Sequence, residues 1–483
     1  MLTTLYKYFL KNAYINYFIR VLYPLRFLSK RIVGASMKAL NKLIPLALLA
    51  MLTSCQPAAN NGGNGSQTGG DQTTKDKYTV LIYMCGSNLE SEYANQTSIF
   101  YEGQTYQLDG IGMATADILE ILSVKNQPND VNIVIQTGGA KSWTNKTFGK
   151  YGDYDINANK LQRHHVANNK IVLDETLNYA SMGESSTLQS FLEYGLSTYP
   201  AEKTGLILWN HGGGLHGVCF DDKKNDDGLE THEVINAVSA ALSNVKDAPN
   251  KLEWIGYDAC LMGVQDIAEK NSKYFNYMIA SQESESGTGW DYDGWVDKLY
   301  AHKDTETILK AVCDSFIADN NYDDYGNYST SSNDQTLAYY NLAYADAYKT
   351  AWENMAQQLG NKITSSNKSS FKSLIKSCKH YADEDYEYYG LFDAKDFVNK
   401  LASNSTFKTD ASYTQAVLNA HSNFVGYFAK GAAAGNSNGV SLYWAYSNNT
   451  AYYNSYNSNN TNFSNWCNLS STYGGSASSG GWW

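Results

Sequence analysis

The chain has 483 residues, of which 43% are hydrophobic and 18% charged; it is long enough for two or three ordinary domains and too apolar to be mostly disordered. Six prolines and 38 glycines without a three-residue period exclude a Pro-rich stalk and collagen. The net charge of −11 is unevenly spread: residues 1–54 hold eight basic residues and no acid, leaving 29 basic against 48 acidic residues beyond them, a balance of −19 that disfavours nucleic acid and favours cationic ligands or peptides.

Residues 1–36 are basic and aromatic and precede a complete signal that begins at a methionine. They read as an upstream extension, with translation starting at Met37, and an amphipathic membrane helix is the alternative. Residues 37–54 join a basic start to the apolar stretch Leu43–Leu52, too short to span a bilayer but the right length for the core of a secretory signal. It ends in Leu52-Thr53-Ser54-Cys55, which resembles a bacterial lipoprotein signal. Lipidation of Cys55 would anchor an exported protein to a membrane, on the periplasmic side or at the cell surface; an ordinary cleaved signal is the alternative. Residues 55–77, rich in Asn, Gly, Gln and Thr, read as a flexible linker.

Apolar, β-branched runs follow at Tyr78–Met84, Val131–Gln136, Gly205–Trp209 and Leu252–Tyr257, with a fifth strand expected over Tyr274–Ser281. Near-continuous apolar strands separated by crossovers of this length predict a parallel sheet covered on both faces, with helices at Ala116–Leu122 and Thr187–Leu196 among the crossovers. Farther on, Leu337–Leu359 and Leu391–Leu401 read as helices and Gly439–Trp444 as a strand. From about residue 452 an Asn-, Ser- and Tyr-rich tail begins.

In such sheets chemistry gathers beyond the carboxyl ends of the strands. There the sequence places Cys85-Gly86-Ser87-Asn88, Thr137-Gly138-Gly139, Asn210-His211-Gly212-Gly213-Gly214 and Asp258-Ala259-Cys260-Leu261-Met262-Gly263. A thiol becomes a nucleophile when a base or positive charge favours its thiolate, and Cys260 is expected where a helix begins, an environment that lowers a thiol pKa. His211 is expected at the matching end of the neighbouring strand. The backbone N–H groups of Gly212 and Cys260 are candidates to stabilise an oxyanion.

These two blocks resemble the signatures of the clostripain family of cysteine peptidases, relatives of caspases, legumains and gingipains. The resemblance implies an α/β fold with a caspase-like, mostly parallel sheet flanked by helices. The catalytic core would span residues 78–300, and residues 301–483 would form an additional C-terminal α+β region completing or elaborating it. It implies a His211/Cys260 dyad, cleavage of protein or peptide substrates after Arg or Lys, and Asp258 as the acid that pairs with the cationic side chain; Gln282, Glu283 and Glu285 are further candidates for that pocket. It also implies a zymogen cut between the two blocks, where Lys223 and Lys224 lie in a charged, exposed loop; an ordinary solvated charge run is the alternative. The sequence requires no cofactor, and calcium enters through the resemblance alone, since Lys223 and Val234 break the EF-hand pattern.

Other readings compete for the same residues. His211, His216 and Cys219 would make a zinc set of unusual spacing with no defined fourth ligand, and no metal site is assigned. His164 and His165 read as surface histidines in a polar loop. The remaining cysteines, irregularly spaced, form no evident disulfide framework. A surface lipoprotein that binds glycan or protein on a peptidase-like scaffold is the alternative function.

Overall fold

All five apolar runs become parallel strands. The computed structural model describes residues 75–92, 97–101, 104–108, 111–144, 155–321, 328–446 and 461–474. Residues 1–36, the signal at 37–54, Cys55 and all but the end of the 55–77 linker lie outside the described residues, as does most of the tail. Strand β1 (Asp76–Cys85) takes up the last two linker residues. It is followed by β2 (Val131–Gly138), β3 (Lys160–Ala167), β4 (Lys170–Asn178), β5 (Ala201–Trp209), β6 (Leu252–Asp258), β7 (Phe275–Ala280), β8 (Thr336–Asn341) and β9 (Val425–Lys430). They form one sheet in the order β9-β8-β7-β6-β5-β1-β2-β3-β4. The five central strands, β7-β6-β5-β1-β2, are parallel, and the two at each edge are antiparallel.

The strands lack an apolar/polar alternation because both faces of the sheet are covered. Along β1, Leu81, Tyr83 and Cys85 enter one hydrophobic cluster while Val80, Ile82 and Met84 enter the other, and all six are buried. Helices Ser185–Thr198, Thr231–Asn244 and Ala345–Gly360 bury their apolar stripes in the first cluster. Helices Met113–Ser123, Asp293–Tyr300 and Thr305–Asp319 bury theirs in the second.

Three expectations need correction, and the tail adds an element that composition did not show. The helix expected over Leu337–Leu359 is divided: Thr336–Asn341 is strand β8, recruited by antiparallel pairing with β7 and β9, and the Asn341 side chain accepts from the Ala343 N–H to turn the chain into the helix at Ala345–Gly360. Leu391–Asp393 pairs with Ser441–Tyr443 as a short ribbon, and Asp393 then caps the helix Ala394–Ser403 through the Asp396 N–H. His164 and His165 lie on β3 rather than in a loop. The first is buried beside Thr137, and the second is bound to Asp174 at 2.6 Å, so the polar strand finds its partners inside the edge hairpin. Within the tail, Ser464–Tyr473 is a helix, anchored by the buried Trp466 against Trp352, Phe397 and Trp444.

Candidate active site

The ladder between β5 and β6 ends with Trp209 opposite Asp258, and the Asn210 N–H continues it by donating to the Asp258 carbonyl at 3.2 Å. His211 and Cys260 each follow that last pair by two residues, so they leave adjacent strands at the same rim of the sheet. The two blocks are in backbone contact: a Cβ added to Gly212 would overlap the Cys260 carbonyl oxygen and lie 3.1 Å from its nitrogen. Only glycine permits that approach.

Cys260 is not at a helix start. The helix Gln265–Asn271 begins five residues later, and Cys260 sits instead at the mouth of a tight turn in which Leu261 adopts φ +67°. That left-handed conformation costs a leucine about 1–3 kcal/mol and is held by the bonds Leu261 N–H to Glu283 O, 3.1 Å, and Gly263 N–H to Ser281 O, 2.6 Å. The expected lowering of the thiol pKa is reversed: burial, reinforced by the charge of Glu285, pushes Cys260 up to about 12. The sulfur accepts the Glu285 N–H at 3.2 Å. The His211 ring bonds through Nε2 to Asn88 Oδ1 at 2.7 Å, and burial pulls its pKa down to about 4 against the pull of Asp226 and Asp222. At neutral pH the resting pair is therefore thiol and neutral imidazole.

Behind Cys260 lies a group of buried acids. Asp258 accepts from the Tyr292 hydroxyl at 3.0 Å and the Trp290 N–H at 3.2 Å, and burial pushes it up to about 7. Asp117, on the helix Met113–Ser123, approaches the same place: a Cβ on Gly289 would lie 3.0 Å from Asp117 Oδ2 and 3.2 Å from Asp258 Oδ1. Trp209 Nε1 donates to Asp117 Oδ2 at 2.6 Å, whereas Asp117 Oδ1 is buried with no hydrogen-bond partner among the described residues. Burial and the neighbouring Asp258 raise the pKa of both Asp117 and Glu285, whose two carboxyl oxygens are also buried without a partner of hydrogen-bond geometry.

Of the other candidates for this pocket, Glu285 alone reaches it. Gln282 bonds Asp393 and the Gly439 N–H, and Glu283 bonds Lys379 and the Ala382 N–H, so both tie the C-terminal segments together. Asp117 was missed because it stands far from either motif; the available signal was an acid inside the apolar run of an otherwise buried helix.

The charged segment after His211 is an ordered hairpin rather than an irregular loop. Val218–Asp221 pairs with Asp227–Leu229, and buried Asp221 accepts from the Tyr179 hydroxyl, the Met182 N–H and the Lys223 N–H. Lys223 donates to Ala158 O and Asn159 Oδ1; Lys223 and the exposed Lys224 both lie over the Tyr179 ring, at 4.7 and 5.6 Å. Asp222 pairs with Lys141 at 2.7 Å. His216 stacks on Tyr388, and Cys219 is buried. Among the described residues no group of three or more His, Cys, Asp or Glu stands where it could hold a metal ion, and calcium gains no support.

Comparison with known proteins gives these features a context. The profile of the clostripain family matches residues 111–472. Clostripain of Hathewaya histolytica is 27% identical over 303 residues; the match spans 53% of this chain and 55% of that protein, about half the length of each. The fold is similar to that of a secreted cysteine protease from Bacteroides thetaiotaomicron solved with an irreversible peptide inhibitor (TM-score 0.56, 16% identity, 79% of this chain and 97% of that one). It is also similar to that of an inactive zymogen protease from Parabacteroides distasonis (TM-score 0.52, 19% identity, 77% and 92%).

Proposed function

The chain belongs to the clostripain family, a family of cysteine-type peptidases, and from that membership we propose that it is an endopeptidase cutting after Arg or Lys with Cys260 as nucleophile and His211 as acid–base. The observation that carries the reading is the backbone contact of Gly212 with Cys260 at the paired ends of β5 and β6.

The neutral dyad sets the order of events. His211 takes the thiol proton as Cys260 Sγ attacks the scissile carbonyl carbon, and the oxyanion draws on the N–H groups of Gly212 and Cys260. As the C–N bond breaks, the imidazolium proton passes to the departing amine, leaving a thioester on Cys260. Water then attacks the thioester, giving a proton to His211. The C–S bond breaks, the acid product leaves, and the proton returns to sulfur.

Specificity follows from Asp258. A buried carboxyl near half-ionisation gains a guanidinium or ammonium partner when substrate arrives, which favours its charged form in place of lost water. Burial and the neighbouring Asp258 push Glu285 and Asp117 toward their neutral forms, which leaves Asp258 as the acid that pairs with the cationic side chain. Lys223 and Lys224 are the proposed self-cleavage positions in the hairpin between the two blocks. Export and lipidation at Cys55 rest on the sequence alone, and they would hold the enzyme at a membrane surface.

The test is hydrolysis of Arg-, Lys- and norleucine-amide peptides by the wild type and Cys260→Ala. Cleavage of the first two, abolished by the substitution, is expected. Hydrolysis surviving in Cys260→Ala would remove Cys260 from the chemistry. No hydrolysis at all, even after limited proteolysis, would favour the binding-protein alternative.

A further inference from the structure

We propose that Asn88 is the positioning residue of His211, fixing the ring's orientation and tautomer; the inference rests on the His211/Cys260 reading. Asn88 Oδ1 lies 2.7 Å from His211 Nε2. An amide oxygen only accepts, so the proton of the neutral imidazole sits on Nε2, and Nδ1 is left with the lone pair that a thiol proton requires.

Three features show that this contact is built rather than incidental. The amide is oriented from its own side by the Ser87 hydroxyl, which reaches the same oxygen at 3.1 Å. Ser87 is buried at φ +42°, a conformation a serine adopts only when its surroundings impose it, and such strain concentrates at functional sites. The turn itself is fastened on two sides: Gly86 N–H donates to Gly138 O at the end of β2 at 2.8 Å, and Asn210, the residue before His211, donates from Nδ2 to Cys85 O at 2.6 Å while its Oδ1 accepts the Phe220 N–H at 2.7 Å. One asparagine therefore ties the end of β1 to the segment that carries the histidine, and the next bond along that seam is the one from His211 to Asn88. The Cys260 sulfur has its hydrogen bonds with Glu285, and the effect of Asn88 passes through the ring.

Asp226 and Asp222 of the hairpin act on the imidazole through their charge, whereas Asn88 is an uncharged acceptor. A neutral acceptor fixes the tautomer while leaving the ring free to lose its proton again, which an acid–base catalyst must do in every cycle.

The experiment compares wild type, Asn88→Ala and Asn88→Asp for kcat and KM on an Arg-amide substrate, with pH profiles and with the 15N shifts of the His211 ring, identified by subtraction of the His211→Ala spectrum. Asn88→Ala is expected to lower kcat about 10²-fold with KM within twofold, and to shift the ring nitrogens toward a mixture of tautomers. Asn88→Asp keeps an acceptor, so it should recover most of kcat while moving the acid limb of the profile upward, because a carboxylate favours the imidazolium. Wild-type activity together with an Asn88→Ala kcat within threefold, or an unchanged tautomer, would overturn the proposal. So would equal losses in both variants through KM. If Asn88→Ala fails to fold, the Asn88→Asp profile and tautomer decide. An inactive wild type would instead refute the dyad on which the proposal rests.

Discussion

The backbone N–H of Glu285 donates to the sulfur of Cys260 at 3.2 Å, while the side chain of the same residue carries two buried carboxyl oxygens without a hydrogen-bond partner among the described residues. One residue therefore acts on the thiol in opposite senses: the N–H favours the thiolate, and the carboxyl opposes it. Removing the carboxyl alone should tip the balance. Glu285→Gln is expected to lower the thiol pKa and to raise the rate of iodoacetamide labelling at Cys260 at pH 8 by roughly 3- to 10-fold, since the thiolate fraction changes tenfold per pKa unit. Mass spectrometry of peptides containing Cys260 reads the rate. An unchanged or slower rate would mean that the carboxyl is neutral in the resting enzyme.

Asp258 makes a prediction in which activity and stability oppose each other. Its folded pKa of about 7 lies above the ordinary Asp value. Between pH 4 and pH 7 the folded protein thus keeps a proton that the unfolded chain has released. The contribution of this group to stability is fully present below about pH 4 and is lost as pH rises toward 7, by up to about 1.4 kcal/mol per pH unit. Asp258→Asn should raise Tm at pH 8, and the gain should vanish near pH 4. The same substitution should abolish cleavage after Arg and Lys. Because His211 is pulled down to about 4, an acid limb of kcat/KM near pH 7 belongs to Asp258, and the activity of the Asp258→Asn variant on a neutral substrate should lack that limb. Differential scanning calorimetry and a pH series on Arg- and norleucine-amides check both halves.

What the sequence made legible follows from the range of the forces involved. The five parallel strands were readable because burial on both faces demands uninterrupted apolar residues, and the glycines and Cys260 marked the strand ends. Local pattern failed where a distant partner decided the outcome. Leu337–Asn341 has a helix-compatible pattern and becomes a strand because the edge of β7 offers hydrogen bonds. Cys260 looked like the start of a helix, but the turn at Leu261 delays the helix to Gln265, and with it goes the supposed dipole effect on the thiol. Asp117 and Asn88 stand 143 and 172 residues before Cys260; the sequence places Asn88 at the rim beyond the first strand, but its bond to His211 and the approach of Asp117 to Asp258 exist only in the folded sheet.

Gly212→Ala tests the close approach of the two blocks. The added Cβ would overlap the Cys260 carbonyl oxygen, and that oxygen is backbone that cannot swing aside as a flexible side chain would. The backbone must shift, carrying one of the two oxyanion donors with it. Loss of such a donor costs about 10²–10³ in kcat. KM should change little, and iodoacetamide should still label Cys260, which separates a displaced oxyanion site from a misfolded protein. A variant with kcat within threefold of wild type would exclude Gly212 from oxyanion binding.

Lys223 and Lys224 differ as sites of self-cleavage because their ammonium groups have different commitments. Cleavage requires the basic side chain to leave its place and enter the acidic pocket. Both lie over the Tyr179 ring, Lys223 at 4.7 Å and Lys224 at 5.6 Å, but Lys223 would also have to give up Ala158 O and Asn159, whereas Lys224 is exposed and makes no side-chain hydrogen bond among the described residues. Lys224→Gln should therefore slow processing more than Lys223→Gln does. The hairpin is also latched from outside by the Lys141–Asp222 pair at 2.7 Å, in which Asp222 is largely buried and Lys141 exposed. Such a pair contributes about 1 kcal/mol or less, so Lys141→Ala should loosen the hairpin without unfolding the protein and speed processing by a few-fold. Intact-mass spectrometry over time, with Cys260→Ala as the uncleaved reference, follows all three variants. A faster appearance of fragments in Lys223→Gln than in wild type would identify its bonds as a brake, whereas complete protection by that substitution would make Lys223 itself the scissile residue and reverse the order argued from exposure.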